Sequence, residues 1–159
     1  MADRTGYSRG QIALHWAIAV LIFGNYFFSD GMEQSFDGMM ENGTLPDLSA
    51  NLHIYAGIAV LVLVVVRLGL RFVRGVPVAP KTTVMDKLGT AAHWALYGLM
   101  LAVPVLGMTA WFGGVDQAAG IHALAANGIM ALVLLHSLAA LFHQYVLKDG
   151  LLRRMMRAE

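Results

Sequence analysis

The sequence predicts an all-α membrane protein, a four-transmembrane-helix bundle forming a single domain over residues 1–159. Three observations carry that prediction. Hydrophobic residues make up 58% of the chain and charged residues only 13%, whereas a soluble domain carries about a quarter charged residues. The apolar residues fall in four blocks, each long enough to cross a hydrocarbon core of ~30 Å, and the mean hydropathy is +0.63. All 11 Lys and Arg cluster in three regions that share one side of a four-span protein.

The elements follow in order, with helices expected at about 11–28, 52–72, 88–112 and 118–147. Residues 1–10 are a polar lead with Arg4 and Arg9. The first block lacks a small-residue cleavage site and runs into Asn25-Tyr26-Phe27-Phe28, so it reads as a retained helix with interfacial aromatics rather than a signal peptide. Ser29 to Ala50 holds Asp30, Glu33, Asp37, Glu41 and Asp47 with no basic residue, and reads as a solvated connector in spite of Met32, Met39 and Met40. The second block ends in Arg67, Arg71 and Arg74, and the stiff stretch Gly75 to Pro80 leads to Lys81 and Lys87. Pro104 and Gly107 should bend or loosen the third block. Gly113 to Gln117 is a tight turn, and a basic tail with Lys148, Arg153, Arg154 and Arg157 follows the fourth block.

The positive-inside rule then puts both termini of a multi-pass membrane protein in the cytoplasm, with the acidic loop outside. No Asp or Glu lies within the four blocks, which argues against a proton-coupled carrier or a carboxylate-bridged di-iron bundle. The chain has no cysteine. That excludes disulfides, iron–sulfur clusters, thiolate-ligated haem and covalent haem attachment, all of which need thiols.

Histidine is what remains inside the membrane. His15 lies in the first block, His53 in the second, His93 in the third, and His122, His136 and His143 in the fourth. Spacings of 14 and 7 put the last three on nearly one stripe of a helix. From His122 to His136 the rise is about 21 Å at 1.5 Å per residue. Buried histidines can simply hydrogen-bond between helices. Six of them at two depths point instead to a bound group, because polar side chains in a span are costly. A zinc or copper site would gather its ligands at one depth. Two haems clamped between imidazoles of different helices explain ligands repeated at two depths, and small residues such as Gly57, Ala125, Ala126, Ala139 and Ala140 would give a flat macrocycle clearance.

Depth pairs His53 with His122, since both lie just inside the outer starts of their helices. Counting does not choose the inner pair: His15 and His93 lie at similar depths, and both His136 and His143 lie towards that end. Arg67 follows His53 by the same 14 residues that separate His136 from His122. It is a candidate to pair with a haem propionate, or else a helix-end arginine that snorkels to the interface.

Across nearly the whole chain the sequence resembles the bacterial cytochrome b561 family. The resemblance rests on Tyr7-Ser8, Gln11 and His15-Trp16; on His53, Gly57, Arg67-Leu68 and Arg71; on His93, Tyr97 and Pro104 to Gly107; and on His122, His136, His143-Gln144-Tyr145, Lys148-Asp149 and Leu152 to Met156. It implies a four-helix dihaem quinone oxidoreductase with two haem b groups, one iron ligated by His15 and His136 and the other by His53 and His122. It leaves His93 and His143 as candidates for a quinone site or for propionate contacts. It also implies ubiquinone as substrate and, as in one member of the family, a superoxide oxidase activity. The chain departs from that member in its short turn Gly113 to Gln117 and in an outer face with six acidic and no basic residues, a field that repels superoxide.

The expected function is therefore transmembrane electron transfer through two bis-histidine haems, between a periplasmic-side donor and the ubiquinone pool. Lipid and quinone are the expected partners, with a small-molecule or protein donor, no nucleic acid, and a dimer as one allowed assembly. Two rivals stand beside it: a haem-bearing anchor subunit of a dehydrogenase or hydrogenase, and a haem-free transporter with a histidine-lined path.

Overall fold

The computed structural model describes residues 6–75 and 84–158. Residues 76–80 of the expected linker Gly75 to Pro80, together with Arg4 and Lys81, lie outside the described residues. Four long apolar helices form a bundle with no strand among the described residues: α1 (Arg9–Phe27), α3 (Leu48–Arg74), α4 (Val84–Gly113) and α5 (Asp116–Phe142). Two short helices complete the chain, α2 (Met32–Asn42) between α1 and α3, and α6 (Leu151–Arg154) near the C-terminus.

α1 begins with a capping box. The Gln11 N–H donates to Ser8 Oγ (3.3 Å), and Gln11 Oε1 accepts from the Ser8 N–H (3.1 Å), which satisfies two orphan groups of the first turn. The same Gln11 is buried and donates through Nε2 to the Gly75 carbonyl at 3.1 Å. One residue thus starts α1 and ties it to the end of α3. Asp47 caps α3 by accepting from the Ala50 N–H at 2.8 Å. At the other end Arg71 and Arg74 sit in the last turn, where the helix dipole favours cations. Pro104 lies inside α4, which continues past it to Gly113.

The acidic stretch expected as a plain connector contains a helix. Gly31 (φ 82°) and Gly43 (φ 64°) bound α2 in left-handed conformations, which glycine adopts without a Cβ clash. Met32, Phe36 and Met39 recur at the 4,3 spacing of one helix face, and Glu33, Asp37 and Glu41 at the spacing of another. Phe36 is buried against Ala110 and Ala118, with Trp111 and Met39 packed around them. Charge counting missed this face because the five carboxylates dominate the composition of the stretch.

α1 packs on α3, α3 on α4 and α4 on α5. Ile18, Val60, Val64 and Tyr97 form the buried core shared by α1, α3 and α4, and Val64 is fully enclosed. Val20, Val62, Leu124 and Leu134, by contrast, are each more than half exposed, which suits a surface solvated by lipid chains. α1 and α5 are linked across the bundle by the Tyr26 hydroxyl, 2.6 Å from Asn127 Oδ1. After α5 the chain makes a π-helical turn (His143–Leu147), reverses through Lys148 (φ 54°) and Gly150 (φ 75°), and returns so that Trp16 Nε1 donates to the Met155 carbonyl at 3.0 Å.

Candidate functional site

The histidines gather at two levels of the bundle. At the level of α2, His53 of α3 and His122 of α5 bring their ring centroids to 5.9 Å, at 74° between planes. They line a cavity of about 850 Å³ together with Gly57, Met100, Gly107 and Ala126. Phe36, Glu33 and Asp37 of α2 also line it, as does Asp116 at the start of α5. α2 therefore covers the cavity with an aromatic side chain and brings carboxylates to it.

The two imidazoles of this pair are held differently. His122 Nδ1 lies 2.8 Å from the Val103 carbonyl oxygen of α4. A carbonyl can only accept, so Nδ1 carries the proton and the Nε2 lone pair is left free to bind a metal. His53 Nδ1 is buried and makes no hydrogen bond of normal geometry.

At the other level three imidazoles meet. His136 of α5 lies 6.4 Å from His15 of α1 and 5.1 Å from His93 of α4, measured between ring centroids. Arg67 of α3 lies beside them and donates through Nε to the Tyr97 hydroxyl at 3.0 Å. Its Nη1 is 3.5 Å from the Gln11 carbonyl oxygen. One turn on, the Arg71 guanidinium stands over Trp94 and Tyr97, at 5.3 and 5.6 Å from the ring centroids, a cation–π arrangement. Tyr7, just before α1, faces the same cations. Burial pushes its phenol above the ordinary value of 10.0, against the opposing pull of Arg71 and Arg67.

These separations test the fit of a metal between two rings. Imidazoles bound to opposite sides of one metal, at about 2 Å per bond, hold their centroids about 6.3 Å apart. The His53–His122 and His15–His136 distances of 5.9 and 6.4 Å suit that arrangement, and the His93–His136 distance of 5.1 Å is too short for it. The donor set, two facing imidazoles at each of two depths with arginines at one end, suits two b-type haems.

His143 stands apart from both groups. Its Nδ1 is hydrogen-bonded to Asp149 Oδ2, and Asp149 Oδ1 accepts from the Leu151 N–H at 3.1 Å. Burial alone would raise the Asp149 carboxyl. The His143 bond, the Leu151 N–H and the charges of His143 and Arg154 outweigh it and hold the group below its ordinary value of 3.8.

The sequence placed His15, His53, His93, His122 and His136 in spans without showing what holds them. It missed the Val103 carbonyl, the Tyr7 and Trp94 rings around the arginines, and the α2 side chains at the cavity. Backbone carbonyls leave no trace in composition. The 4,3 spacing of Met32, Phe36 and Met39 was the available signal for α2.

Comparison with known proteins gives a consistent picture. The family described as prokaryotic cytochrome b561 matches residues 6–158. The chain is 54% identical over 157 residues to cytochrome b562 of Cereibacter sphaeroides, covering 99% of each protein. It is 31% identical over 174 aligned positions to the probable superoxide oxidase CybB of Yersinia pestis, covering 94% of this chain and 95% of that one. No solved structure matches it.

Proposed function

The chain belongs to the prokaryotic cytochrome b561 family, and on that premise we propose that it transfers electrons across the membrane between a donor on the outer side and the ubiquinone pool. Family membership makes it a multi-pass inner-membrane protein with a redox role. The observation that carries the finer reading is the pairing of imidazoles at two depths, 5.9 Å apart at one and 6.4 Å at the other.

In this reading His53 and His122 hold an outer haem b, and His15 and His136 hold an inner one. Each group would supply an iron that changes oxidation state and, held by two imidazoles, would carry electrons without binding oxygen. The protein's residues do the rest. The Val103 carbonyl holds the Nδ1 edge of His122 and leaves its Nε2 free to bind. Phe36 and Trp111 pack α2 onto the ends of α4 and α5 beside the outer level. Ile18, Val60 and Val64 fill the layer between the levels with aliphatic carbon. Arg67 and Arg71 offer positive charge at the inner level, where propionates or a reduced quinone would be stabilised. His93 is too close to His136 to bind the opposite side of the same metal and is assigned to the surroundings of the inner site. His143 keeps a proton on Nδ1 against Asp149 and can pass one at Nε2 to quinone at the cytoplasmic surface.

The orientation follows from charge. Both termini and the Arg-rich ends are cytoplasmic, and α2 faces outward. With Glu33, Asp37 and Asp116 at the outer cavity, an anionic donor such as superoxide is disfavoured there. The test is kinetic. In vesicles with ubiquinone inside the membrane, the purified protein should pass electrons from an externally added cationic donor to quinone. Failure with every donor while both haems are present would refute the quinone-linked reading. Faster reaction with superoxide than with a cationic donor at low salt would refute the charge argument.

A further inference from the structure

We infer that the α4 segment Val103–Gly107 is the positioning element of the outer site, and that it makes the two facing imidazoles chemically unequal. The inference rests on the reading of His53 and His122 as axial ligands.

The geometry is local and specific. His122 comes so close to the α4 backbone that a Cβ at position 107 would lie 3.0 Å from both its Cε1 and its Nδ1. Real Cβ atoms essentially never show contacts much below this, and the neighbour here is a ring held by its own hydrogen bond rather than a flexible chain end. A side chain there would force the ring to give by a few tenths of an ångström. One turn earlier, the Val103 carbonyl takes the Nδ1 proton at 2.8 Å, and both Val103 and Pro104 are buried. Without a side chain at 107 the imidazole edge reaches that carbonyl. With one, the ring must tilt or withdraw.

A ligand imidazole whose second nitrogen donates a hydrogen bond is more basic and fixed in orientation. His122 has that support at 2.8 Å, whereas His53, whose ring has only a looser contact with the Asn25 backbone, makes no hydrogen bond of normal geometry at its buried Nδ1. The stronger donor is therefore the α5 side of the outer site. Losing the bond should weaken haem retention there and raise the outer midpoint potential, because the oxidised iron loses electron donation. Other glycines on these helices have no such role. Gly98 on α4 and Gly120 on α5 would each meet nothing within 4 Å on gaining a Cβ.

Two experiments test this. In Gly107→Ala, the outer haem should bind on the order of 10- to 100-fold more weakly and its midpoint potential should rise, with the inner haem unchanged as an internal check of folding. Gly98→Ala should alter neither. Gly107→Ala with wild-type outer affinity and potential would overturn the inference.

The second experiment does not need that variant. His122→Gly and His53→Gly proteins are each titrated with imidazole and with 1-methylimidazole, which binds iron but has no N–H to donate, and recovery of the outer haem spectrum is followed. The preference for imidazole should be about tenfold larger in His122→Gly than in His53→Gly, reflecting one buried hydrogen bond. Equal preferences would overturn the inference. A His122→Gly protein that keeps both haem spectra without added ligand would instead overturn the ligation reading beneath it.

Discussion

The two histidine levels are built from the same helices to opposite electrostatic plans. The outer one has two imidazoles, a cap of one amphipathic helix, and carboxylates from α2 and α5 beside the cavity. The inner one has three imidazoles, with Arg67 and Arg71 braced by Tyr97 and Trp94. α5 serves both, through His122 and His136. A single helix can set the spacing of two redox sites, while the helices facing it decide what charge each site will tolerate. Electrons entering beside carboxylates and leaving beside guanidinium groups would travel towards the end that stabilises the anionic forms of a reduced acceptor.

The comparison can be broken most sharply by removing ligands. His53→Ala and His122→Ala should each lose the same one of two haems and leave the other's spectrum intact, measured by pyridine haemochrome and optical difference spectra. At the inner level His15→Ala and His136→Ala should lose the other haem, while His93→Ala keeps both, because 5.1 Å is too short for His93 and His136 to bind opposite sides of one metal. Loss of the inner haem in His93→Ala but not in His15→Ala would reverse the assignment.

A smaller effect is expected from the cap. Phe36 is buried at 7% exposure between α2 and the ends of α4 and α5, so Phe36→Ala should cost about 3 kcal/mol of stability, seen as a lower Tm. It should also open the outer cavity to water without changing the inner spectrum. Smaller again, Arg67→Met strands the Tyr97 hydroxyl and should cost about 1 kcal/mol, and it should lower the inner haem potential by removing a cation. The outer potential should not move.

The last expectation concerns pH. Tyr7 has its phenol raised above 10.0 by burial, while in the unfolded chain it ionises at about 10. The unfolded chain therefore loses its proton first. The stability from keeping Tyr7 neutral is complete below pH 10 and is lost as pH rises through the folded value. In Tyr7→Phe the fall in Tm above pH 10 should be shallower, and ultraviolet titration should show one tyrosine fewer among the late-ionising ones.

Much of this was legible in the sequence, for physical reasons that differ from residue to residue. The four spans could be read because lipid imposes long apolar runs whatever the partners are. His53 and His122 could be paired because each lies near a helix start whose side of the membrane the charges indicate. The inner level could not be chosen by counting, since His15, His93, His136 and His143 fall within about two turns of one depth. Only side-chain directions separate them: three rings converge, and His143 turns to Asp149 across the π-helical turn. α2 was hidden because its apolar face has only three residues in a stretch that holds five carboxylates. The Val103 carbonyl and the space at Gly107 were hidden because backbone approach between helices has no sequence pattern of its own.

The central claim is that this bundle holds two haems, one at each histidine level. It is tested most directly by a dithionite-reduced minus oxidised spectrum of the purified protein, with haem counted against protein. Two b-type haems per chain, with one alone lost in His122→Ala, are the expected result. A colourless protein, or one haem per chain that survives both His53→Ala and His122→Ala, would contradict it.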